Sequence, residues 1–202
     1  YGPQRALDMI YGLQQISLQF LLYSGFTVGT ADLLPSPEAL EQIRALIASV
    51  RLESRVITDR LLRGEIVPPI DSTVHEFYEQ MQINALTVPE AEFLRWILGT
   101  IRPATNGFFR MIAVGSKGIN PNLISVSGSI GQTTINGDRI REQFAFRRTL
   151  PYFPRFSIDP AAYGFVEDSY MTGMRAGAFI FQDMNGRFDL IIVDEAHLIP
   201  KK

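Results

Sequence analysis

Met111-Ile-Ala-Val-Gly-Ser-Lys-Gly-Ile-Asn-Pro-Asn-Leu-Ile-Ser-Val-Ser-Gly-Ser-Ile-Gly-Gln132 is the stretch on which the reading of this chain turns. An apolar segment runs into Gly115-Ser116-Lys117-Gly118, which offers two glycines, a hydroxyl and one mobile cation. A second run of small residues, 125–131, closes on the amide of Gln132. Glycine carries no Cβ and tolerates positive φ, so such a segment lets backbone approach a ligand or another chain closely. The pattern predicts the lining of a polar passage.

Upstream of this stretch the chain reads as helices. Residues 3–23 place Ala6, Met9, Ile10, Leu13, Ile16, Phe20 and Leu21 at helical spacing behind Pro3, and Gly25 ends the run. Residues 25–34 form an irregular connector. Ser36-Pro37-Glu38 is a helix start, with a hydroxyl N-cap, proline at the first position and an acid in the first turn. That helix is expected to reach about Arg63, with Leu40, Ile43, Ile47, Val50 and Ile57 as its apolar stripe and Gly64 as its stop. Asp71-Ser72 is read as the cap of a further helix to Leu86. Pro89 opens another that carries Phe93, Trp96, Ile97 and Ile101 on one face, and Pro103 ends or kinks it. The helices around Ile43 and Trp96 are expected to pack on each other as a helical hairpin. Asn106-Gly107 marks a junction before residues 108–114.

Downstream of Gly115 the texture changes. Glycine, serine and asparagine dominate and long periodic helices are not expected. Asn136-Gly137 is a two-residue turn, Leu150-Pro151 and Phe153-Pro154 force extended backbone, and Asp159-Pro160 can start a short helix. A last apolar segment begins near Arg175. The fold class that follows is mainly α with irregular loops, α+β at most.

Composition narrows the function classes. The 202 residues are 46% apolar and 20% charged, a globular balance. A net charge of −2 argues against gripping nucleic acid through overall charge. With no cysteine and two histidines, disulfides, thiolate metal sites and histidine-rich sites are excluded. No apolar run reaches the ~18 residues of a membrane span, so no membrane partner is expected. No leader segment is evident. The chain opens on Tyr1, and it is expected to be a piece of something longer.

Six blocks in order resemble the largest subunit of multisubunit DNA-directed RNA polymerases, of the eukaryotic, archaeal and large-DNA-virus type. They are Gly25-Phe26-Thr27-Val28-Gly29; Gly115-Ser116-Lys117-Gly118 with residues 127–132; Gly137-Asp138-Arg139-Ile140; Arg148-Thr149-Leu150-Pro151-Tyr152-Phe153; Gly164-Phe165-Val166-Glu167-Asp168-Ser169-Tyr170; and residues 179–190, with Met184, Gly186 and Arg187 at matching places. The likeness spans residues 25–191. It implies five segments: 1–34 as the end of the pore region, 35–110 as funnel helices, 111–174 as a loop-rich pore lining, 175–191 as the start of the bridge helix, and 192–202 as an unmatched tail.

The resemblance implies roles for particular residues. Lys117, with Ser116, Gly118 and Gln132, matches the channel through which nucleotides arrive; a cation there suits a triphosphate, although a solvated loop lysine is the simpler account of the residue alone. Gln132 matches the funnel wall, where its amide can tie two backbone segments together or meet a substrate. Gly131, Arg139, Gly186 and Arg187 match the channel wall and its contact with the bridge helix, Arg139 being expected to form an ion pair or backbone bond. Thr133, Gln182 and Asp183 depart from the family's usual glutamine, histidine and small residue.

No catalytic residue and no metal ligand is expected here. The family's magnesium belongs to an aspartate triad motif that this chain lacks, and Glu167, Asp168 and Asp183 are not read as its substitutes. The partners implied are other polymerase subunits, especially the second-largest, nucleoside triphosphates and the RNA 3′ end in the channel, and a transcript-cleavage factor at the funnel. The alternatives are a factor-docking module without nucleotide contact, or a nucleoside triphosphatase using Asp194-Glu195-Ala196-His197, whose box requires an apolar strand and a phosphate loop that the sequence lacks. The compartment stays open: the nucleus for a cellular polymerase of eukaryotes, the viral factory or virion for a large DNA virus.

Overall fold

The computed structural model describes residues 2–102 and 104–198. It is built mainly of helices, as the sequence predicts: α1 (Pro3–Ser24), α2 (Pro37–Leu62), α3 (Val74–Leu86), α4 (Glu90–Thr100), α5 (Gly107–Ala113), α6 (Asn120–Ser127) and α7 (Ala176–Leu198). Four two-residue strands complete it: β1 (Gly131–Gln132), β2 (Thr134–Ile135), β3 (Asp138–Arg139) and β4 (Phe165–Val166).

The helix starts follow local chemistry. Ser36 accepts the Ala39 N–H at 3.2 Å, and Gly64 at φ 72° follows the far end of α2. For α3 the cap is Thr73, one residue past the predicted pair. Its hydroxyl accepts the Glu76 N–H at 3.2 Å while Glu76 accepts the Thr73 N–H at 2.9 Å. This reciprocal pair satisfies two otherwise free donors, and those bonds hold the Glu76 carboxyl below its ordinary range. Helix α4 stops at Thr100, and Ile101, expected on its face, is extended. The predicted break at Pro103 lies outside the described residues.

Two features correct the sequence reading. First, residues 120–127, expected to be loop, form α6; Pro121 sits in its first turn and Asn122 accepts the Ile119 N–H at 2.8 Å. Second, α7 continues through Leu198. The segment Phe188–Leu198 is therefore helical, and the apolar strand that a triphosphatase box requires is not formed.

Helices α2, α3, α4 and α6 share one core with β4: Ile43, Ile47 and Val50, then Leu86, Phe93 and Ile97, then Leu123, Ile124 and Phe165. Each such side chain contributes about 1.5–3 kcal/mol when taken from water. The helices around Ile43 and Trp96 do meet there, and α3 packs against α2 as well. A second, smaller core of Ile140, Leu150 and Phe181 seats α7 on the loop-rich segment, with the Phe153 and Phe181 rings stacked at 5.7 Å.

Antiparallel pairing of β1 with β4 sets Gly131 opposite Val166 and Gln132 opposite Phe165. Strands β2 and β3 form a hairpin over the predicted Asn136-Gly137 turn, both residues at positive φ. By contrast α1 buries none of its residues. Among the described residues no helix is long and apolar enough to cross a membrane.

Candidate functional site

The Gly115-Ser116-Lys117-Gly118 turn joins α5 to α6. Gly115 and Gly118 take φ 69° and 80°, the left-handed region that disfavours a Cβ. The turn is tied down at its start: the Gly115 N–H donates to Ile112, and the Ser116 N–H and hydroxyl both donate to the Met111 carbonyl at 3.1 Å. Ser116 is thus occupied by backbone. Lys117 is exposed and makes no ion pair among the described residues. The turn presents one cation on a fixed base.

That base is anchored to the first motif. Asn106 caps α5, accepting the Phe109 N–H at 2.7 Å, and donates to the Asp32 carbonyl at 2.7 Å. Beside it a Cβ on Gly107 would sit 2.2 Å from the Thr27 carbonyl oxygen. The close approach explains why glycine stands at 107, and it brings residues 25–32 against the start of α5.

Gln132 lies beyond the other end of α6, which as an eight-residue helix is about 12 Å long. The fold therefore sets Lys117 and Gln132 at opposite ends of one helix. The Gln132 amide donates to the carbonyls of Thr133 and Tyr163 at 2.9 and 2.8 Å. It ties β1 to the turn before β4, the tie of two backbone segments open to an amide. Its Oε1 is buried without a hydrogen-bond partner among the described residues, as are Thr133 Oγ1 and Arg139 Nε. Gly131 is buried beside it.

Arg139 is buried, with Nη1 3.4 Å from Glu79 Oε2 of α3 and its guanidinium 4.7 Å from the centre of the Tyr163 ring. The ion pair matches the sequence expectation. Tyr163 also donates its hydroxyl to Glu142 at 2.9 Å. Burial, then the bond to Glu142, pushes the Tyr163 phenol up to about 12. Burial pushes the Glu142 carboxyl up as well, but the bonds from Arg147 and Tyr163 outweigh it and hold it below its ordinary range. Gly186 and Arg187 are exposed on α7, Arg187 pairing with Asp183 at 3.1 Å.

Residue patterns alone miss Arg51, Glu79, Glu142 and Tyr163. For Arg51 a signal exists: an arginine between Ile47 and Ser54 lies on the buried side of α2. The other three are joined to the site only by folding. Glu167 lies between Arg51 and Arg175, and Asp168 lies against Arg175. Among the described residues no group of three or more histidine or acidic side chains is placed to hold a metal ion.

Comparison with known proteins agrees with this arrangement of blocks. The model for RNA polymerase Rpb1, domain 4, matches residues 57–166, more than half of the chain. The chain belongs to the family of largest subunits of multisubunit DNA-directed RNA polymerases. It is 51% identical over 191 residues to the DNA-directed RNA polymerase RPB1 homolog of African swine fever virus, covering 95% of this chain and 13% of that protein. The Rpo1N subunit of Thermoplasma acidophilum is 29% identical over 95% of this chain and 21% of its own length. The RNA polymerase III subunit RPC1 of Trypanosoma brucei brucei is 31% identical over 89% of this chain and 12% of its own. The chain thus spans a small part of the relatives it matches.

Proposed function

We propose that this part of the largest subunit shapes the secondary channel of a DNA-directed RNA polymerase. In this reading residues 35–110 form the funnel, residues 111–174 line the pore, and α7 begins the bridge helix. Nucleotides enter past Lys117, a backtracked RNA end leaves the same way, and the funnel rim receives a transcript-cleavage factor. The other partners are the remaining polymerase subunits, the second-largest above all.

The observation that carries the reading is Lys117: an exposed cation without an acidic partner among the described residues, on a turn anchored at both ends. A flexible ammonium acts on a triphosphate as a point charge. Gln132, Gly131 and Arg139 give the wall its rigidity, because their polar groups hold backbone and neighbouring side chains.

The chemistry of the whole enzyme is nucleotidyl transfer by positioning and metal ions. The carboxylates in the matched blocks are taken up by arginines: Glu167 pairs with Arg51 and Arg175, Asp168 with Arg175, and Asp183 with Arg187. In this reading the metal ligands belong to another part of the subunit, and primer extension by this chain alone, with magnesium and nucleotides, would overturn it.

The test is Lys117→Ala in the assembled polymerase. The expected result is an apparent nucleotide Michaelis constant raised about 3- to 10-fold, the loss of a single charge-assisted contact, with the response to cleavage factor intact. An unchanged constant with a lost cleavage-factor response would favour a docking rim without nucleotide contact.

A further inference from the structure

We propose that Arg51 is a positioning residue that pins the start of α7, and the turn behind Gln132, to helix α2. Arg51 lies on the face of α2 that buries Ile47 and Ser54. Its guanidinium opens as a fork toward two segments more than a hundred residues away in sequence. Nη2 donates to Asp159 at 2.7 Å and Nη1 donates to Glu167 at 2.8 Å.

Each prong continues into the site. Asp159 uses its other oxygen to accept the Ala161 N–H at 3.2 Å, capping the short helix Pro160–Tyr163. The last carbonyl of that helix receives the Gln132 amide at 2.8 Å. Glu167 uses its other oxygen for Arg175 Nη2 at 3.5 Å. Arg175 in turn donates from Nε and from its backbone N–H to Asp168, at 3.1 and 3.3 Å. The Arg175 carbonyl accepts the Phe179 N–H at 3.0 Å, which is the first turn of α7.

Two arginines and three carboxylates therefore form one ladder from α2 to the pore turn and to α7. The planar fork of arginine holds two carboxylates at a fixed angle, which a lysine point charge cannot do. Arg51 keeps 30% of its side chain exposed, so salt and water screen its charge and its contribution is geometric more than energetic.

The test uses hydrogen exchange on the assembled polymerase carrying Arg51→Gln. Residues 160–166 and 176–184 are expected to exchange about 2- to 30-fold faster, the range of coupling carried by such networks. Exchange in α3 and α4 stays as in the parent, and Arg51→Lys recovers part of the protection by serving one carboxylate. Unchanged exchange at the start of α7, or loosening spread through α3 and α4, would overturn the proposal. A kinetic arm rests on the reading of α7 as part of the catalytic surroundings: the maximal rate of nucleotide addition falls while the apparent nucleotide Michaelis constant holds. Faster exchange with an unaltered rate leaves the pin standing and counts against that reading of α7 instead.

Discussion

Tyr163 is where the polar wall converges. Its carbonyl holds Gln132, its ring lies under Arg139, and its hydroxyl holds Glu142. The raised phenol defines a pH dependence. Its value goes from the ordinary 10 to about 12 on folding, so the contribution of the neutral phenol is complete below pH 10 and is lost as pH climbs through 12. Glu142 works in the opposite sense, since its lowered value gives stability that is present above the ordinary carboxylate range and lost as pH falls. Denaturation midpoints followed against pH test this. Tyr163→Phe should flatten the alkaline limb between pH 10 and about 12 and, by removing one of the bonds that lower Glu142, make the acid limb shallower. A variant with the same two limbs as the parent would show that the Tyr163–Glu142 bond does not form in solution. At this scale Arg139 was legible as an ion-pairing residue, whereas its partner Glu79, 60 residues away, was not.

Between elements, the contact of α2 with α3 contains a polar seam. Gln82 is 1% exposed. It accepts from the Ser54 hydroxyl at 2.6 Å and donates to the Ser54 carbonyl and to Thr58 Oγ1, both at 3.0 Å. Thr58 and Tyr78 continue the chain at 3.0 Å. A buried amide with both ends satisfied specifies one register between the helices, and removing it leaves polar groups without partners. Gln82→Ala is expected to cost roughly 1–3 kcal/mol in urea denaturation, against about 0.5 kcal/mol or less for Gln80→Ala on the exposed side of the same helix. Equal costs would mean that water reaches the seam. Helix starts were readable because their caps are local, as at Ser36 and Asp159. Helix α6 was not, since eight residues rich in serine and asparagine show too little periodicity, and its burial of Leu123 and Ile124 against α4 decides it.

For the whole molecule, α1 stands apart. It is apolar around most of its circumference, and Leu7, Ile10, Leu13, Ile16, Phe20 and Leu22 are all exposed. A helix of that kind is ordinarily covered. Exposed apolar surface of this extent drives association, so the 202-residue chain by itself is expected to self-associate in sedimentation experiments. Deleting residues 2–24 should return a monomer with the same far-ultraviolet signature for the remaining helices. A monomeric 202-residue chain would mean that α1 folds back onto the rest. The described residues carry two cores, one under the helices and one under α7, and the Arg51 ladder joins the segments above them.

The amino-acid sequence determined the longer helices of the first half, where most of them start, the left-handed turn at Asn136-Gly137 and which family the chain resembles. These depend on neighbours within a few residues: a capping hydroxyl, a glycine at positive φ, a stripe of apolar side chains. Tertiary structure alone decided that Lys117 and Gln132 lie at opposite ends of α6, that Gln132 spends its amide on the Tyr163 backbone, and that Arg51 reaches Asp159 and Glu167. Those contacts join residues 31 to 116 positions apart. They arise because the shared core of α2, α4 and β4 brings those segments within hydrogen-bonding reach of one another.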